Sequence, residues 1–80
     1  MIFLLREYKD KSVDYEVVER IGEELSDKKA IARLRKIRIP VRAHDGSKLT
    51  LIYLNGGKYY HLHAVLKDGK WKKESLECIG

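Results

Sequence analysis

The stretch KYYHLHAVLKDGKW, Lys58–Trp71, decides how the second half of this chain folds. Side chains alternate along an extended backbone. Read as a strand, the stretch places Tyr59, His61, His63 and Val65 on one face and Tyr60, Leu62, Ala64 and Leu66 on the other. The second set reads as the face of a core. The first is aromatic and hydrogen-bonding, and it asks for water, a metal, a nucleic acid or another protein surface opposite it. Asp68-Gly69 is a two-residue turn signal. Trp71 then opens a further extended segment, WKKESLECI, amphipathic enough for an edge strand.

Working back from Lys58, Asn55-Gly56-Gly57 gives another turn, and KLTLIYL, residues 48–54, is apolar on both sides, as a central strand would be. Asp45-Gly46 is a third turn signal. Before it, Ile37, Ile39, Val41 and Ala43 alternate with Arg38, Pro40 and Arg42. Pro40 has no N–H to give a ladder, so this segment reads as an edge strand. Short, regular spacing of these segments predicts a meander.

The first third reads differently. Residues 2–8, IFLLREY, suit a central or well-covered strand. DKSVD reads as a helix start, with Asp10 or Ser12 as cap and Asp14 and Glu16 near the positive helix end. Val13, Val17, Val18, Ile21 and Leu25 then form one apolar stripe. The phase breaks at LSDKK, where Ser26 or Asp27 caps a second helix. Its stripe is Ala30, Ile31, Leu34 and Ile37, and its other side carries Lys28, Lys29, Arg33, Arg35 and Lys36. Pro40 ends it by about Arg38. One bent helix is the alternative to two. The expected order is β-α-(α)-β-β-β-β: an α+β fold, with a mostly antiparallel sheet and one or two helices packed on one face. The other face is then open or covered by a partner.

Eighty residues make one domain, 1–80. A chain of this size buries only ~60% of its unfolded surface, so its stability margin is thin. The single cysteine, Cys78, rules out an internal disulfide and reads as buried filler. Neither a Cys pair nor an HExxH motif points to structural zinc. Homodimerisation and regular packing remain as sources of stability. The chain has no Gln, a single Asn (Asn55) and 36% charged residues, a thermophile-like composition. Nothing in it separates a host from a viral or plasmid origin. The leading apolar run, MIFLL, is too short for a signal peptide or a membrane span, so a cytoplasmic protein with no membrane association is expected. The net charge of +5 is polarised. Residues 1–27 hold four basic and eight acidic residues, and residues 28–80 hold thirteen basic and four acidic. A basic half of that kind attracts polyanions.

Four chemistries compete for the Tyr59 face. His61 and His63 sit ~7 Å apart on a strand, workable for two metal ligands. His44 could approach from the turn before the neighbouring strand, but zinc normally takes three or four protein ligands and no carboxylate has obvious register, Asp45 and Glu74 coming nearest, so no metal and no cofactor are expected. RNA cleavage would use His61 or His63 as acid and base, Tyr59 for positioning and Arg42 for charge. Nucleic-acid binding without chemistry would use Arg38, Arg42, Tyr59, His61, His63, Trp71 and Lys73 on the open sheet face. The cations would meet phosphates, while Tyr59, His61 and Trp71 stack on bases. Lys28, Lys29, Arg33 and Lys36 form a second basic patch, able to track duplex phosphates. The same residue types also enrich protein interfaces, so a homodimer seam or another protein partner is the fourth reading. In topology alone, the element order resembles the RelE-like toxins, compact β-α-α-β-β-β ribosome-dependent RNases. That resemblance implies RNase activity but carries over no residue. The leading expectation is a small basic protein that binds RNA or DNA. The alternatives are an interaction module and a metal-independent RNase.

Overall fold

Two tight turns set the register of the second half. Strand β3 (Lys48–Asn55) returns as β4 (Lys58–Lys67), and β4 returns as β5 (Lys70–Cys78). Gly56 and Gly57 have φ of 61° and 77°, and Asp68 and Gly69 have φ of 53° and 73°. Two successive residues in the left-handed region make the turn whose twist matches that of the flanking strands. Glycine adopts that conformation without a Cβ clash. Across the closures Asn55 faces Lys58 and Lys67 faces Lys70; the first sets every β3–β4 pair, and the second holds as far as Ala64 and Lys73, beyond which a bulge shifts the β4–β5 pairing by one residue.

The computed structural model describes residues 2–19 and 24–79. Strand β1 (Ile2–Glu7) lies between β3 and β2 (Val13–Glu19) and is antiparallel to both. The sheet has five strands in the order β2-β1-β3-β4-β5. Helix α1 (Asp27–Arg33) runs into a 3-10 turn, Leu34–Lys36. Together they cover one sheet face. The protein is therefore an α+β fold with a mostly antiparallel sheet, as the sequence pattern requires. Among the described residues no helix is long and apolar enough to cross a membrane.

The core lies between the helix and the sheet. Ile2 and Leu4 of β1, Leu49, Leu51 and Tyr53 of β3, Leu62, Ala64 and Leu66 of β4 and Trp71 of β5 meet Leu25, Ala30 and Leu34. Ser26 caps α1 by accepting from the Lys29 N–H at 3.2 Å. Asp27, in the first turn, accepts from the Tyr53 hydroxyl at 2.8 Å. Burial and that carboxylate both hold the Tyr53 proton on, well above the usual phenol range. The bond pins the start of the helix to the middle of the sheet.

Two elements differ from the sequence reading. Val13–Glu19 is a strand, not the first helix. Val13 and Val17 are four apart, a spacing that satisfies a helical stripe and an alternating strand equally. Tyr15 falls between them on the same strand face, and a segment rich in valine and tyrosine favours the pleated form. The supposed helix cap is a turn device. The Asp10 carboxylate accepts from the Ser12 N–H at 2.9 Å, and Lys11 takes a φ of 71° as the chain reverses from β1 into β2. Ile21, which the helical reading also used, lies outside the described residues.

The second difference is at residues 37–43, which form no strand. Pro40 accepts from the Ala43 N–H at 3.0 Å in a turn, and Val41 is fully exposed. The edge of β3 that this segment would need is already occupied by β1. Cys78, expected inside, is exposed near the end of the edge strand β5.

An ionic knot closes the β1–β2 end. Arg6 is only 5% exposed, although it sits in a strand among leucines. Its Nη1 donates to Asp14 Oδ1 at 2.9 Å, and the Tyr8 hydroxyl donates to Asp14 Oδ2 at 2.7 Å. The Arg42 guanidinium lies 3.9 Å above the Tyr8 ring and also bonds the Ser12 hydroxyl. Burial pushes the Asp14 carboxyl up, but the Tyr8 and Arg6 hydrogen bonds outweigh it and hold the group below the ordinary range. For Tyr8, burial and the Asp14 carboxylate act together to raise the phenol.

Two outcomes are expected. Replacing Asp14 by Asn removes charge-assisted bonds at a part-exposed carboxylate and should cost about 1–2 kcal/mol by urea denaturation. A carboxyl depressed in the folded state stabilises fully above its unfolded value and loses that stabilisation as pH falls through the folded one. The wild type should therefore lose stability on acidification below pH ~4, and Asp14→Asn should flatten that loss. Tyr53→Phe should cost about 1 kcal/mol, because a buried hydroxyl leaves together with its bond to Asp27.

Candidate functional site

The sheet has one covered and one uncovered face, and register assigns each residue to one of them. On the uncovered face, side chains form rows across the strands. Tyr15, Leu5, Thr50, His63 and Ser75 make one row, and Val17, Phe3, Ile52, His61 and Glu77 the next. Tyr59, His61 and His63 stand where the alternation places them, with Tyr59 exposed and the imidazoles half-buried. Most of the rest of this face is apolar. Val13, Tyr15 and Val17 on the edge strand are 54%, 74% and 54% exposed, beside Leu5.

The two imidazoles meet edge to face, with ring centres 6.0 Å apart. His63 is held at both nitrogens, Nδ1 lying 3.1 Å from Thr50 Oγ1 and Nε2 lying 2.8 Å from Glu77 Oε1. Glu77 is the cross-strand partner of His61. Sequence reasoning missed Thr50 and Glu77, because pairing partners on other strands depend on register. Counting from the Gly56-Gly57 turn does place Thr50 opposite His63, but counting from Asp68-Gly69 places Leu76 opposite His61, and the bulge between His63 and Ala64 brings Glu77 there instead.

The remaining sequence candidates separate from this face. Trp71 is 6% exposed and packs against the helix side, opposite Leu66. It offers no ring face for stacking. A register shift between His63 and Ala64 marks a bulge in the β4–β5 pairing, and Lys73 comes opposite Ala64, on the helix side as well. Arg38 and Arg42 lie in the segment of residues 37–43 rather than on a strand. Arg42 is committed to the Tyr8 ring, Ser12 and Asp10. Tyr8 is itself buried on the helix-covered side, so Arg42 does not join His61, His63 and Tyr59, and the set named for RNA cleavage is not gathered in one place.

The cations gather instead around α1. A surface groove of about 630 Å³ on one flank is lined by Lys29, Arg33, Lys36 and Arg38 above Leu4, Leu25, Ala32 and Ile37. A second, of about 600 Å³, is lined by Arg35, Lys70, Lys72 and Lys73, with Trp71, Leu34 and Ile37 among the apolar residues beneath. Arg35 and Lys70 were absent from the candidate set. Arg35 was assigned to the polar side of the helix and Lys70 to a turn, and only the packing of α1 over β5 brings them together. Among the described residues, the side chains of Lys28, Lys29, Arg35, Lys36, Arg38 and Lys73 make no ion pair. Two lysines are paired: Lys48, on the uncovered face, with Glu74 at 3.1 Å, and Lys72, at the rim of the second groove, with Asp68 at 3.9 Å. The Trp71 Nε1–H, buried under the second groove, has no acceptor among the described residues.

No protein-family model matches this chain, and neither a curated protein nor a solved structure matches it.

Proposed function

We propose that the protein binds nucleic acid through the helix side, by contact with the phosphate backbone. The observation that carries this is the set of cations around the two grooves that make no ion pair among the described residues, Lys29, Lys36 and Arg38 at the first and Arg35 and Lys73 at the second. Residues 27–38 hold six basic residues and one acid, Asp27, which is occupied by Tyr53. Unpaired cations on a convex element supply the sequence-independent part of affinity by displacing condensed counterions. Of the aromatic residues on this side, Tyr8, Tyr53 and Trp71 are buried and Tyr60, half-buried, is already stacked on the Tyr53 ring at 5.6 Å, which leaves little platform for unpaired bases. Duplex phosphates, not splayed bases, fit such a surface. Tyr59, His61 and His63 then take no part in the contact.

With five or six phosphates engaged, the logarithm of the binding constant should fall with the logarithm of salt at a slope near −5, about 0.9 per contact. Lys36→Ala and Arg38→Ala should each reduce that slope by about one in fluorescence titrations with a short duplex, whereas Lys48→Ala should leave it unchanged. Trp71 is the sole tryptophan and lies under the second groove, so its intrinsic emission should shift on binding. An affinity indifferent to salt would contradict the reading.

A second reading concerns the uncovered face, and one observation favours it. Val13, Tyr15 and Val17 are exposed on an edge strand, continuous with Leu5 and Phe3. Apolar area of this kind on one sheet face marks an interface. We propose a second copy of the chain as its occupant. The face carries Glu7 beside Lys48, which Glu74 holds at 3.1 Å, so a two-fold arrangement would exchange that surface pair for one between each Glu7 and the partner's base. Light scattering should give the mass of a dimer for the wild type and of a monomer for Tyr15→Glu. A wild-type monomer at high protein concentration would exclude it.

A further inference from the structure

We propose that His61, His63 and Glu77 form a Zn²⁺ site on the uncovered sheet face. One ligand atom from each residue can be chosen so that all three lie within 4.8 Å of one another. This closeness comes from strand register and not from a flexible loop. His61 and His63 share a face of β4, and Glu77 of β5 is the direct partner of His61. Both neighbouring strands of β4 hold the site, since Thr50 of β3 touches the far nitrogen of His63 at 3.1 Å.

The donor chemistry suits the ion. Two imidazoles and one carboxylate form a nitrogen–oxygen set that zinc uses where a fourth position stays open. Zinc bonds of ~2.0–2.1 Å hold tetrahedral ligands ~3.3 Å apart. His63 Nε2 and Glu77 Oε1 already stand 2.8 Å apart, so the ion needs that gap to widen by about half an ångström. The Glu77 side chain is more than half exposed and is free to swing.

The hydrogen-bond partners of His63 suit a ligating role. A metal-bound His63 would coordinate through Nε2 and donate its Nδ1–H to the Thr50 hydroxyl oxygen. Such a partner on the second nitrogen fixes the tautomer and the ring plane of a ligating histidine. Without metal, two acceptors at 2.8 Å would repel, so a proton must lie between His63 and Glu77. The divalent ion takes the place of that proton. The fourth position faces solvent and is left to water or to an outside ligand. The site stands apart from the cation-lined grooves of the helix side, so it does not depend on the nucleic-acid reading.

The test is isothermal titration of chelator-treated, untagged protein with ZnCl₂, paired with the visible absorption of the Co²⁺-loaded protein. One equivalent should bind saturably, and Co²⁺ should give the intense bands of a tetrahedral nitrogen–oxygen site. His63→Ala and Glu77→Gln should each weaken binding ~10-fold or more, Thr50→Val should weaken it severalfold, and His44→Ala should change nothing. Zinc should also raise the melting temperature of the wild type and not that of Glu77→Gln. These side chains are half-buried or exposed, and circular dichroism of each metal-free variant should match the wild type. The proposal fails if no binding is seen at one equivalent. It also fails if Glu77→Gln binds as the wild type does, since a histidine pair alone captures metal without the carboxylate.

Discussion

The register of three strands governs everything else. Two turns of two residues each close β3 on β4 and β4 on β5, and a bulge between His63 and Ala64 shifts the outer β4–β5 pairs by one residue. Side chains alternate with a period of two, so a slip of one residue would exchange the faces entirely. In the observed register Leu62, Ala64 and Leu66 point at α1, and His61 and His63 point away. Trp71 is carried inward by the same rule, which removes it from the surface where its ring could have stacked. The cations follow the helix, because α1 can bury only Ala30 and must leave its lysines outside.

The result is a molecule with two unlike sides. The helix side is cationic and grooved, and its acids are few or engaged. The sheet side is apolar toward β2 and carries a polar histidine cluster toward β5. A lone basic surface would attract a polyanion without restraint. Here Lys48 of the sheet side is paired with Glu74, whereas Lys29, Arg35, Lys36 and Arg38 make no ion pair among the described residues, which weights the positive field toward the helix side. The knot of Arg6, Tyr8, Asp14 and Arg42 keeps the loop of residues 37–43 against the β1–β2 turn, and so keeps Arg38 near the helix.

What could be read from the sequence, and what could not, follows from range. The turns at Gly56-Gly57 and Asp68-Gly69, the alternation of β4 and the Ser26 cap are local, and each was legible. The segment Val13–Glu19 was not, because valines four apart serve either period and the choice falls to the partner strand β1. Residues 37–43 show the reverse error. Their alternation is real, but alternation makes a strand only where a free edge exists, and β1 holds that edge. The placement of Tyr59, His61 and His63 on an uncovered face was legible, but their neighbours Thr50 and Glu77 were not. Nor was the meeting of Arg35 with Lys73, which depends on where α1 crosses β5.

The division of labour between the two sides can be observed at residue level. Backbone amide shifts would be followed by NMR as a short blunt-ended duplex is added at low salt. If the helix side is the working surface, shifts will concentrate at Lys29, Lys36, Arg38 and Lys73 and at the Trp71 indole, and will spare Tyr59, His61 and His63. Shifts confined to Tyr59, His61 and His63, with the helix unmoved, would contradict that division and return the contact to the open sheet.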